Sequence, residues 1–256
     1  MANFIPIKNY MFYCLDRLID KYNLGFPFLD AGCGTGDLSA YLGKKGWRGK
    51  AIDASGTAIE LARSNLKSFV DISVERKLIF DEIGQFQTIF LWDVIEHIED
   101  DEFALKKTAA LLSPGGYLVI AVPSNPAEWR WDDDFYGHYR RYTAGGIHSK
   151  LVSAGLEPLV FWDFTYPFFW TMRRLYTRFK SSPMYNDEKI NKETKTNISS
   201  TVNAWNIPFV SNFLNKENFL WRLLYKFQFL FKNKLDNGYE MFVLAQKPAI
   251  TKDNEK

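Results

Sequence analysis

The chain has 256 residues, 46% of them hydrophobic and 17% aromatic, which is material for a large core in one domain or one and a half. Lys and Arg number 32 against 30 Asp and Glu, and a net charge of +2 gives no general attraction for polyanions. The two cysteines, Cys14 and Cys33, exclude a disulfide framework and suit a reducing, cytoplasmic setting; neither a signal peptide nor a membrane-spanning run of about 18 apolar residues is expected.

Ile7, Tyr10, Met11, Cys14, Leu15, Leu18, Ile19 and Tyr22 fall at helical spacing, which predicts an amphipathic helix over 7–22 laid on the domain that follows. Phe26, Phe28 and Leu29 read as a short buried strand that runs into Asp30-Ala31-Gly32-Cys33-Gly34-Thr35-Gly36-Asp37. Leu38 to Leu42 then opens a helix that closes near Gly43 to Gly46. Alternating glycines allow positive φ and let a ligand approach where a Cβ would stand. A strand, a Gly-rich turn and a helix N-terminus present N–H groups and a positive dipole end to an anion, as in a nucleotide-type cofactor site.

Arg48 to Asp53 reads as a second strand ending in an acid. Asp53 stands seventeen residues beyond Gly36, near the roughly 20-residue offset at which a carboxylate meets ribose hydroxyls in doubly wound nucleotide folds. A helix over 57–66 follows. The third strand falls at either 69–74 or 77–80, which leaves the adenine-contacting side chain unassigned. Thr88 to Trp92 is a buried parallel strand, followed directly by Asp93-Val94-Ile95-Glu96-His97-Ile98. Asp100 or Asp101 caps a helix through Leu112, and Ser113-Pro114-Gly115-Gly116 turns into a fifth strand, Tyr117 to Val122. Strands alternating with helices at this pitch predict an α/β fold on a parallel sheet.

Residues 124–142 hold Trp129, Trp131, Asp132, Asp133, Asp134, His138, Arg140 and Arg141, too polar for a core element and placed where loops line the binding crevice. Thr143 caps a helix to Ala154, and Leu156 to Trp162 forms a sixth strand. Residues 164–235 break the alternation, with crowded aromatics and twelve Lys and Arg against four Asp and Glu. Within them 181–200 is polar and expected to be mobile or poorly packed. The 219–232 helix has a narrow polar stripe, Arg222 and Lys226. Two uses suit this insert: a cap over the site enclosing an apolar acceptor, or a membrane-facing surface whose aromatics insert while Lys and Arg meet anionic headgroups. Tyr239 to Gln246 is a last strand, and a polar tail ends the chain.

Taken together these residues resemble the class I S-adenosylmethionine-dependent methyltransferases. Residues 28–36 resemble the family's first motif and Asp53 its ribose-binding acid. Trp92-Asp93-Val94-Ile95-Glu96-His97-Ile98 and Leu111-Leu112-Ser113-Pro114-Gly115-Gly116 resemble its fourth- and fifth-strand motifs. The likeness runs from about Leu24 to Ala245, interrupted by the insert, and is nearest to the ubiquinone-biosynthesis O-methyltransferase branch. Gly137-His138-Tyr139-Arg140-Arg141-Tyr142-Thr143 is similar to bacterial members of that branch. It implies a Rossmann-like, doubly wound, seven-stranded sheet with a final antiparallel strand. It also implies a core over 1–163 with its N-terminal helix, the insert at 164–235, and a last strand and tail over 236–256.

The cofactor implied is S-adenosylmethionine, with S-adenosylhomocysteine as product, held by Asp30, Gly32, Cys33, Gly34, Gly36, Asp53, Ala54, Trp92 and Asp93. The residues agree, since Asp37 follows a G-x-G-x-G where a dinucleotide site wants a further glycine, and an acid there opposes a pyrophosphate. Turn amides are expected to hold the methionine carboxylate, Asp30 to face the ammonium, and Asp37 to stay clear. His97 and His138 are the candidate bases, with Arg140 or Arg141 for an anionic substrate. A packed helix-start histidine, and a lid held by salt bridges to Asp132, Asp133 or Asp134, are the structural alternatives. Asp93, Glu96 and His97 have the spacing of magnesium-dependent relatives, with His138 as a fourth ligand. Metal-free relatives share these residues, so no metal is assigned.

The expected reaction is methyl transfer to a small-molecule or lipid-like acceptor, at oxygen. The absence of an (Asp/Asn)-Pro-Pro-aromatic segment after the fourth strand argues against amide or base N-methylation. An RNA 2′-O-methyltransferase and a catalytically silent cofactor-binding module are the competing readings. No nucleic acid is favoured as partner, and the expected setting is cytoplasmic, with peripheral contact at the inner membrane face through 164–235.

Overall fold

The computed structural model describes residues 5–180 and 219–249. Helix α1 (Pro6–Tyr22) starts on a proline, whose fixed φ and missing N–H cost nothing at a first helical position. It stops where Asn23 turns left-handed and donates its N–H to the Ile19 carbonyl. Tyr10, Met11, Cys14, Leu15 and Leu18 form its buried stripe, as predicted.

Seven strands make one sheet in the order β3 (Ile72–Arg76), β2 (Gly49–Asp53), β1 (Phe28–Ala31), β4 (Phe86–Trp92), β5 (Leu112–Pro123), β7 (Glu240–Gln246), β6 (Glu157–Asp163). The strands from β3 to β5 run parallel, and β7 is antiparallel to both of its neighbours. This is the doubly wound sheet the motifs implied. The order of strand addition reverses between the parallel neighbours β1 and β4, so a crevice opens outside their carboxyl ends.

The helices are α2 (Asp37–Lys44), α3 (Gly56–Asn65), α4 (Asp101–Leu111), α5 (Trp131–Tyr136), α6 (Ala144–Ser153), α7 (Phe168–Phe179) and α8 (Phe219–Phe229). Alternate strand residues feed two cores, the period-2 signature of a sheet buried on both faces. Phe28, Phe90, Val119 and Phe242 join α1, α2, α3, α7 and α8, whereas Leu29, Ile89, Leu118 and Val243 join α4 and α6. Each such fully buried side chain contributes about 1.5–3 kcal/mol.

Several boundaries differ from the expectation. Phe26 lies outside β1, 43% exposed, and leans on Trp47 at 6.1 Å. The third strand overlaps the first expected segment, 69–74, at 72–74 and runs on through polar Glu75 and Arg76 at the sheet edge, where no apolar run marks its end. Helix α2 runs through Gly43 to Lys44 and is capped by Lys45, leaving Gly46 (φ +78°) in the following turn. The 181–200 stretch lies outside the described residues.

Helix α8 docks on α1. The Tyr225 ring sits 5.3 Å from Tyr10, and its hydroxyl donates to the Pro6 carbonyl at 2.9 Å. Phe229 meets Trp162 edge-on. No α8 residue lines the crevice; among the described residues the insert contributes only Arg173 to it. Phe219, Leu220, Leu223, Phe227 and Leu230 are exposed. No helix among the described residues is long and apolar enough to cross a membrane.

Candidate functional site

A cleft of about 540 Å³ occupies the crevice. Its shape starts with the turn after β1, where Gly32 (φ +82°) lies so close to Val94 that a Cβ would stand 2.5 Å from that side chain. Four of the turn amides bond inside the fold. Gly32 and Cys33 donate to the Ile52 carbonyl at 2.8 and 2.9 Å, Gly34 to Asp53 Oδ2 at 2.9 Å, and Gly36 to the Cys33 carbonyl at 2.8 Å. The turn is braced on β2. Lys8 of α1 lines the cleft beside it and pairs with Asp37.

Asp37 therefore does not stay clear; it lines the cleft too. Burial raises its pKa, yet Lys8 and the Thr35 hydroxyl hold it below the ordinary carboxylate range. Asp53 is buried and accepts from the Gly34 and Ser55 amides, one bond to each oxygen. Each oxygen keeps further acceptor capacity, enough for two vicinal hydroxyls. Burial outweighs those amide bonds and raises the Asp53 pKa. Ala54 adjoins it, and Lys77, Leu78, Ile79 and Phe80 line the same end, supplying the wall left unassigned from sequence. Asp30 is buried, accepts from the Ser39 hydroxyl at 2.6 Å, and is pushed up to about 7 by its burial. Of the nine expected cofactor residues all but Gly36 line the cleft. Gly36 packs on α3 instead, where its Cβ would lie 3.0 Å from Leu66.

The other end is polar. Asp93 closes β4 at φ +53°, a strained value for a residue with a side chain, of the kind that gathers at functional sites. A turn of 3-10 helix at Ile95–His97 then projects Glu96 and His97. Glu96 is fully buried with no hydrogen bond to either oxygen, and Asp93 Oδ1 likewise has none. Burial, reinforced by the Asp93 charge, raises Glu96 and Glu240 well above the glutamate range, and burial lifts Asp93 to about 7.

His97 is pushed down to about 3 by burial and by His138, so its imidazole is neutral at physiological pH. The two rings meet edge-on at 4.8 Å. His138 Nδ1 lies 2.9 Å from Asp133 Oδ1. One ligand atom each from Glu96, His97 and His138 fall within 4.8 Å of one another, a spacing that could hold a metal ion, and two imidazoles with one carboxylate suit a transition-metal ion better than magnesium. Asp93 is not part of that group. Arg141 lines the cleft and bonds Asp133, whereas Arg140 turns away to Asp101 at 2.8 Å. The 124–142 segment is thus both a salt-bridged lid and a cleft wall.

A doubly wound seven-stranded sheet with an antiparallel last strand, a glycine turn and a strand-end acid define the S-adenosylmethionine-dependent methyltransferase class. The family model described as a methyltransferase domain matches residues 8–159, and the chain belongs to that family. It is 34% identical over 103 residues to a ubiquinone biosynthesis O-methyltransferase of Caulobacter vibrioides, a match covering 38% of this chain and 41% of the relative. The chain thus spans about two fifths of the length of the curated relatives it matches. Among solved structures it superposes on the cyclase SpnF with a TM-score of 0.57 at 15% identity, over 92% of this chain and 81% of that one. It also superposes on the magnesium protoporphyrin IX methyltransferase of Synechocystis PCC 6803, solved with bound S-adenosylhomocysteine. There the TM-score is 0.52 at 18% identity, over 61% of this chain and 75% of that one. Likeness at these identities concerns the fold, and a cyclase among the neighbours shows that the fold does not by itself choose the chemistry.

Proposed function

We propose that the protein transfers the methyl group of S-adenosylmethionine to an oxygen of a small, polar acceptor. The observation that carries this is the pairing of a hydroxyl-accepting Asp53 at one end of the cleft with a carboxylate-anchored His138 at the other. The cofactor, when bound, supplies a methyl carbon on a sulfonium that is open to in-line displacement. Asp53 receives the ribose hydroxyls, Lys8 the methionine carboxylate, and Asp30 the ammonium. Helix α1 excludes water along that end through Ile7, Met11 and Phe12. His138, with Nδ1 bonded to Asp133, takes up the acceptor's hydroxyl proton at Nε2. Neutral His97 packs beside it. Of the small-molecule and lipid-like acceptors expected, the polar lining of this end favours a small molecule with a polar acceptor group.

Calorimetric titration with S-adenosylhomocysteine tests the cofactor half. Wild-type protein is expected to bind, and Asp53→Asn to bind about 10- to 100-fold more weakly. The amide turns one acceptor into a donor facing a backbone N–H, a loss of about 1.5–3 kcal/mol. Absence of binding by the wild-type chain sinks the reading.

The exposed rings and aliphatic groups of α8 and the α7 end, beside Arg178, Lys180, Arg222 and Lys226, favour peripheral contact with an anionic membrane. Co-sedimentation with phosphatidylglycerol vesicles is expected, weakening as salt rises and absent with phosphatidylcholine alone. Equal recovery with both vesicle types removes the electrostatic part of this reading, and no recovery removes all of it.

A further inference from the structure

Arg173 is an arginine on the insert helix α7 and is only 2% exposed. Its Nε and Nη2 grip the Asp132 carboxylate at 2.9 and 2.6 Å, and Nη2 also reaches Asp133 Oδ2 at 3.0 Å. Its Nη1 donates to the Glu128 carbonyl at 3.0 Å. Stability alone is a poor reason for such a group, because desolvating an arginine and two carboxylates offsets most of their attraction. Nor is it needed to join α7 to the 124–142 segment. Arg174 Nε and the Trp170 indole already bond Glu128 at 3.1 Å, and the Trp131 indole bonds the Thr177 carbonyl at 3.0 Å.

What Arg173 uniquely reaches is Asp133. The Oδ2 atom of Asp133 accepts from Arg173 and from the Arg130 amide at 2.8 Å, while Oδ1 accepts from Arg141 Nε at 2.8 Å and faces His138 Nδ1. Every direction around this carboxylate is filled by a donor, so it cannot rotate. An ionised carboxylate only accepts. The His138 nitrogen facing it therefore carries hydrogen, and in the neutral ring that tautomer leaves the lone pair on Nε2, on a ring that lines the cleft. A carboxylate that fixes a histidine tautomer through the second nitrogen sets what the first can do.

We propose that Arg173 is a positioning residue: by locking Asp133 it holds His138 with Nδ1–H on the carboxylate and Nε2 open toward the acceptor. The insert thereby reaches the reacting end of the cleft through two side chains. This rests on the reading of His138 as the proton acceptor. It extends that reading to a residue more than thirty positions downstream, outside the methyltransferase-family match.

The test uses the full chain with isotope-labelled histidine nitrogens and saturating S-adenosylhomocysteine, the His138 resonances being assigned with His138→Gln. Wild-type protein is expected to show a hydrogen-bonded Nδ1–H and a bare Nε2. Arg173→Gln is expected to lose the Nδ1–H resonance and to protonate Nε2 in most molecules. Arg174→Gln, which loosens the same helix without touching Asp133, is expected to keep the wild-type pattern. If Arg173→Gln does not fold, Arg173→Lys decides, since it keeps the charge but not the fork and should show a partial loss. A wild-type pattern in the Arg173 variant, or an equal loss in Arg174→Gln, overturns the proposal. The readout involves no turnover, so a failure of methyl transfer or of cofactor binding registers separately.

Discussion

Gly32→Ala is expected to lower the affinity for S-adenosylhomocysteine by about a hundredfold or more. The left-handed φ of +82° disfavours any L side chain by about 1–2 kcal/mol. The new Cβ would stand 2.5 Å from Val94 Cγ2, overpacking worth about 1–3 kcal/mol more. Relief requires the turn to move off Val94 or β4 to move off the turn, and either displaces cleft-lining residues on both sides. Because the Gly32 and Cys33 amides are tied to Ile52, the shift is carried on to β2 and Asp53. Gly46→Ala is the control. Gly46 has a comparable φ of +78°, but nothing lies within 4 Å of its Cβ position. It should lose about 1 kcal/mol of stability with unchanged affinity. Calorimetry on both variants checks this, and equal affinities for S-adenosylhomocysteine would mean that the Gly32–Val94 approach does not shape the site.

How much of this was legible in the sequence follows the range of the interactions. The glycine turn, Asp53 and the apolar β4 run are local patterns, and local patterns survive without a partner in view. Lys8 was not found, because a lysine on the first turn of an amphipathic helix reads as a solvated edge until α1 is folded over the β1 turn. The bracing of the turn was out of reach for a related reason. The acceptor of the Gly32 and Cys33 amides, the Ile52 carbonyl, belongs to another strand. The wall at 77–80 was missed since β3 is an edge strand with a polar end, and periodicity marks buried strands best. The direction of α8 was also beyond reach. With apolar groups on both faces, the pattern does not say that Tyr225 meets α1 and Trp221 meets Phe168 of α7 while Leu223 and Phe227 meet solvent. The bonds from Arg173 to Asp132 and Asp133 join residues 41 and 40 positions apart, which no spacing rule covers.

Glu96→Gln is expected to make the protein more stable at pH 8 by about 1–3 kcal/mol, several degrees in Tm, by removing a buried carboxylate that has no hydrogen bond. The sign follows from proton linkage. Burial and the Asp93 charge raise the Glu96 pKa in the folded chain, so the folded state holds its proton to higher pH than the unfolded state does. Wild-type stability therefore falls as pH rises from the ordinary carboxylate range, and Asp93, raised to about 7, adds to the fall. At pH 5 both forms carry a neutral group at position 96 and their Tm values should converge. Thermal melts from pH 5 to pH 8 check the divergence, and a variant that is less stable at pH 8 would contradict the uncompensated burial of Glu96. The same melts test whether a divalent cation binds at Glu96, His97 and His138, whose ligand atoms lie within 4.8 Å of one another. Magnesium or manganese should raise the wild-type Tm at pH 8 and leave Glu96→Gln unmoved if that set binds, and should move neither if it does not. S-adenosylhomocysteine affinity should change little in either case, since Glu96 stands at the far end of the cleft from Asp53 and Ala54.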